Sequence, residues 1–204
     1  MLGSGRLTLT LRVVNEAGAD QRALAVAEKQ AKSILDRAGV DLVWVACESG
    51  VGRGPADPCS RDRGPAEFWF RITARKPSST TKEMLGFTEL GENRRDRASG
   101  IYYAAALELA EFWGIRLGDV LGAAVAHEAG HLLLGADAHS TRGVMQPHWN
   151  RLQFDLIGLG RLSFTASEGK AIRDRIAALY DRSDSGASGL SPRDEHRRAE
   201  QGPN

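Results

Sequence analysis

The sequence predicts an α+β domain: a mixed, twisted sheet with a backing helix, a long buried helix, and a small helical part at the C-terminus. Three observations lead there. The chain opens with an alternating strand, a helix and a second strand; short alternating segments follow; and the run Leu117 to Leu134 is mostly apolar on every face. At 204 residues the chain suits one globular unit, expected over residues 1–182. Residues 183–204 are polar and rich in Gly, Ser and charge, and are expected to be a disordered tail.

In RLTLTLRVV, Leu7, Leu9, Leu11 and Val13 alternate with Thr8, Thr10 and Arg12, the period of a half-buried strand. Asp20 is placed to cap a helix carrying Leu24, Ala27, Ala31, Ile34, Leu35 and Ala38, with Gly39 at its end. VDLVWVA (Val40 to Ala46) reads as the second strand, completing a parallel crossover. EFWFRITA (Glu67 to Ala74) sets Phe68, Phe70 and Ile72 against Glu67, Arg71 and Thr73 as a third strand. MLGFTEL and SGIYYAA are shorter strand candidates around the charged loop ENRRDRAS. TASE (Thr165 to Glu168) opens a last helix to about Tyr180.

The 27 Lys and Arg against 26 Asp and Glu leave a formal charge of +1, which signals neither a nucleic-acid nor a membrane partner. No apolar run reaches membrane-span length, and MLGSGRLTLTL lacks the pattern of a signal peptide. The sequence leaves the oligomeric state open, with a monomer favoured. Cys47 and Cys59 flank the Gly/Pro-rich ESGVGRGPADP. They form either a disulfide, which favours a secreted or periplasmic setting, or two free thiols.

Polar residues on an all-apolar helix need a partner, because burying them unpaired is costly. The stretch HEAGHLLLGADAH places His127 and His131 four apart, side by side on one helical face, with Glu128 turned slightly aside. Two imidazoles so placed can share a metal ion. They can equally be a hydrogen-bonded buried pair. Gly135 can adopt the left-handed conformation that ends a helix, letting ADAH fold back and offer His139 as a third ligand. Three protein ligands with a fourth position open describe a catalytic zinc site rather than a closed structural one.

HEAGHLLLGADAHSTRGVMQP resembles the metzincin zinc peptidases, whose motif is H-E-x-x-H-x-x-G-x-x-H followed by a downstream methionine in a tight turn. The order of strands and helices from Arg6 to Tyr180 is similar too. The resemblance implies a zincin-like fold, one Zn2+ per chain on His127, His131 and His139, Glu128 as general base, and Met145 in the turn beneath the metal. It also implies a peptide or protein substrate added as a strand at the sheet edge, beside SGIYYAA. The spacing departs from the family: Gly135 follows His131 by four positions and His139 follows Gly135 by four, each interval one longer than the motif. Asp137 sits at the usual third-ligand spacing and is the alternative to His139. Glu168 is a further alternative, although Thr165 and Glu168 also fit a capping box. His148 and Trp149 either line the cleft or donate to a developing oxyanion, or are surface or turn residues; His196 carries no role. The expected activity is a zinc-dependent hydrolase, most simply a peptidase. The alternatives are a non-catalytic zincin-fold module that binds a peptide or partner, and a metal-stabilised domain closed by a fourth ligand.

Overall fold

In the computed structural model, residues 6–48, 57–75, 77, 84–91 and 97–187 are described. They form β1 (Leu7–Asn15), α1 (Gln21–Arg37), β2 (Val40–Cys47), β3 (Glu67–Thr73), β4 (Gly86–Glu89), β5 (Ala98–Tyr102), α2 (Tyr103–Trp113), α3 (Leu117–Leu134), α4 (Arg151–Gly158) and α5 (Ala166–Ala187). The strands make one sheet in the order β2-β1-β3-β5-β4, all parallel except β4, which runs antiparallel to β5 at the edge. The mixed sheet and long buried helix agree with the expected architecture. No helix among the described residues is long and apolar enough to cross a membrane.

The opening crossover forms as read. Asp20 accepts from the amides of Arg22 and Ala23, satisfying two of the free N–H groups at the start of α1, and Gly39 turns the chain into β2 at φ +79°. Ala27, Ala31, Ile34 and Leu35 are buried beneath it. Helix α1 packs against β2 and α3, and α3 against β4 and β5, so the long helix runs beneath the edge of the sheet. Two glycines allow α1 and α3 to approach closely. A Cβ on Gly118 would lie 2.6 Å from Val26 Cβ, and one on Gly122 would lie 2.5 Å from the Ala27 carbonyl oxygen.

The sequence reading differs from the structure in four places. Arg12 and Glu67, assigned to polar strand faces, are buried, at 2% and 4% exposure, and pair at 2.7 Å. The segment after β2 covers them: Arg12 also donates to the carbonyls of Cys59 and Asp62, while Glu67 accepts from Arg61 and the Gly64 amide. Burial alone would raise the Glu67 pKa, but the Gly64 amide and the two arginines hold it below the ordinary value. The Cys47–Cys59 disulfide ties this covering segment to the end of β2. Helix α2 begins directly at Tyr103, within SGIYYAA, whose pattern predicts strand to Ala105; its N-cap, Tyr102, makes no side-chain capping bond, so the sequence carries no start signal there. Helix α4 was missed although Asn150 and Gln153 form a capping box, because eight residues carry too little periodicity. Finally, α5 runs on to Ala187; the rest of the expected tail, residues 188–204 with His196, lies outside the described residues.

Candidate metal centre

Helix α3 brings His127, Glu128 and His131 to one end of the sheet edge, with Glu128 and His131 buried. Gly135 ends the helix at φ 111° and ψ 165°, and its amide donates to the His131 carbonyl at 2.9 Å. This is not the left-handed helical conformation expected but a more extended one that essentially only glycine adopts. It turns the chain so that His139 returns over the helix.

The Nε2 atoms of His127 and His139 each lie 3.1 Å from His131 Nε2. The hydrogen bonds on the far sides of two of the rings fix their tautomers. His127 Nδ1 lies 2.7 Å from the Val144 carbonyl oxygen, and His131 Nδ1 lies 3.0 Å from that of Gly135. A carbonyl oxygen only accepts, so each Nδ1 carries a proton, and each ring turns its Nε2 to the centre. Burial depresses His127 to about 4 and lowers His139, which keeps these rings uncharged near neutral pH. Facing lone pairs at such distances repel unless a cation lies between them. Zinc–nitrogen bonds of about 2.0–2.1 Å in tetrahedral geometry set ligand atoms about 3.3 Å apart. Among the described residues, His127, His131 and His139 are the group that could hold a metal ion, with all three ligand atoms within 4.8 Å of one another.

Glu128 points from α3 toward the sheet. Its Oε2 accepts from Thr88 Oγ1 at 2.8 Å, and Thr88 Oγ1 lies 2.8 Å from Ser99 Oγ. Burial pushes the carboxyl up to about 7, against the lowering effect of these hydroxyls. Met145 is fully buried beneath the histidine helix, and Gly130 makes room for it: a Cβ there would meet Met145 Sδ at 2.4 Å.

The chain has the overall fold of a metalloproteinase. The solved structure of metalloproteinase-II from Bacteroides fragilis superposes with a TM-score of 0.52 at 12% identity, covering 83% of this chain. This chain spans 53% of that one, about half its length, and the likeness is one of overall fold alone. No family model and no curated protein matches the sequence.

The remaining sequence candidates fall elsewhere. Asp137 is exposed, beside His139 but outside the histidine group. Glu168 is held in the capping box, accepting from the Thr165 amide at 2.7 Å while its own amide donates to Thr165 Oγ1. Trp149 Nε1 donates to the Val144 carbonyl at 3.1 Å, so its proton is committed there rather than offered to an oxyanion; its ring stands edge-on to His127. His148 is exposed. The sequence reading missed Gly86, Thr88 and Ser99, which surround Glu128, and the Val144 carbonyl that orients His127. Only the fold brings β4 and β5 to α3, and a backbone acceptor leaves no trace in residue type.

Proposed function

We propose that this protein is a zinc-dependent peptidase of metzincin type, with one ion on His127, His131 and His139 and Glu128 as the general base. The observation that carries the reading is the convergence of three imidazole Nε2 atoms, two of them on rings oriented by carbonyl partners, beside a buried carboxyl group. Zinc held there would acidify a bound water and polarise the scissile carbonyl. Glu128 would take a proton from the attacking water and pass it to the leaving amine. His127 and His131 are held in the metal-binding tautomer by Val144 and Gly135. Met145 fills the space beneath the ligands and takes no part in the chemistry.

An extended peptide would pair with a free sheet edge. Among the described residues the edge strand next to α3 is β4, not the SGIYYAA strand expected from the sequence, because β5 is flanked by β3 and β4. Strand β4 lies against α3 at Glu128, so a peptide added there would run beside the base. The disulfide favours an oxidising, extracytoplasmic setting for this activity.

The test begins with unfolded proteins and peptide libraries, screened for cleavage that a zinc chelator blocks. Glu128→Gln keeps the shape but cannot take the proton, so zinc should stay bound while turnover falls by about 10²–10⁴. Full activity in this variant would remove Glu128 from the mechanism. Zinc binding with no cleavage across broad libraries would favour the non-catalytic peptide-binding module.

A further inference from the structure

Gly86 and Thr88 stand two apart on β4, so both face the same side of the sheet. The Glu128 carboxyl lies against both. A Cβ on Gly86 would sit 2.6 Å from Oε1, and Thr88 Oγ1 lies 2.8 Å from Oε2 and 3.4 Å from the Glu128 backbone oxygen. Directly across the ladder from Thr88 is Ser99, which is fully buried and donates to the Phe87 carbonyl at 2.8 Å. Hydroxyls in such a place are costly unless they are partnered. Here they form a chain that ends on Glu128.

We propose that Thr88, backed by Ser99, is a positioning residue that fixes the Glu128 carboxyl against the edge strand, so that the strand open to a peptide also sets the base. The inference rests on the reading of Glu128 as general base. Thr88 Oγ1 donates to the Glu128 carboxylate, and Ser99 Oγ, 2.8 Å from Thr88 Oγ1, holds that hydroxyl in place.

The test uses the zinc-loaded full chain and a peptide it cleaves. Thr88→Val keeps the shape without the hydroxyl, and Thr88→Ser restores it. With the carboxyl free to shift by about 1 Å, kcat of Thr88→Val should fall about 10- to 100-fold. KM should stay within about twofold, the signature of an interaction lost only in the transition state. Thr88→Ser should recover most of the loss, and zinc content should be equal in all variants. In crystals of zinc-loaded Thr88→Val, the Glu128 carboxyl should leave its place beside residue 88. If Thr88→Val does not fold, Ser99→Ala carries the same test with a smaller loss. Unchanged kcat, a loss that Thr88→Ser does not recover, or an unmoved carboxyl would each overturn the proposal. An active Glu128→Gln variant, or a wild-type chain that cleaves nothing, ends both this inference and the functional reading. An inactive Glu128→Gln beside a fully active Thr88→Val ends this one alone.

Discussion

At the scale of single residues, the site is built from opposed ionisation preferences. In the metal-free protein, His127 stays neutral down to about 4, while in the unfolded chain it takes a proton near 6.5. Its contribution to stability is therefore present above 6.5 and lost as pH falls toward 4. Glu128 keeps its proton up to about 7 in the fold but releases it near 4.5 when unfolded, so its contribution is lost as pH rises through that window. Each pH unit is worth about 1.4 kcal/mol, so the two effects, each about 3 kcal/mol, largely cancel between pH 4.5 and 6.5. Glu128→Gln removes one of them. Urea unfolding of the metal-free variant should show stability falling steadily from pH 6.5 to 4, with a much flatter wild-type profile; matching profiles would contradict these ionisation states. His139→Ala should lose zinc and Asp137→Ala should keep it, as metal analysis of the purified variants would show. His127, Glu128 and His131 were legible in the sequence because helical spacing alone brings them together. His139 was legible only with its rival Asp137, since the shape of the turn at Gly135 decides which of them comes back over the helix.

At the scale of elements, the strand–helix–strand opening was legible because Asp20, Gly39 and the alternating leucines each gave a local signal that tertiary packing did not override. Arg12 and Glu67 were misplaced because their burial depends on a distant segment, and nothing local marks a strand face as covered. Closing that segment with the Cys47–Cys59 disulfide, over a separation of 12 residues, should contribute about 3 kcal/mol through the unfolded state. Denaturant midpoints of the Cys47→Ser/Cys59→Ser variant would check this. Truncating Arg12 to Met should cost about 3–5 kcal/mol, because Glu67 would keep a buried charge with its central partner removed. Between α1 and α3, Gly122→Ala sets two effects against each other. Alanine favours the helix by about 1 kcal/mol, but the new Cβ would meet the Ala27 carbonyl oxygen at 2.5 Å, a backbone atom that yields only if the helices part. Overpacking of about 1–3 kcal/mol should win, leaving Gly122→Ala less stable by urea titration.

At the scale of the whole molecule, the sheet, α3 and the returning loop make one frame around the histidines, so the metal and the fold should stabilise each other. An ion bound only by the folded chain adds about 2.7 kcal/mol when free zinc is a hundredfold above its Kd. The thermal midpoint should accordingly rise with zinc and fall with a chelator in wild type, and do neither in His131→Ala. The near-neutral chain, with a formal charge of +1, carries no net charge to steer a charged partner from a distance. All of this depends on what the three imidazoles hold. Anomalous scattering at the zinc edge, from crystals grown with one equivalent of zinc, locates the ion directly. The account predicts one peak per chain, about 2.0–2.1 Å from Nε2 of His127, His131 and His139 and with no fourth protein ligand. A peak ligated by Asp137 in place of His139, a site closed by a fourth side chain, or no peak among the histidines would contradict it.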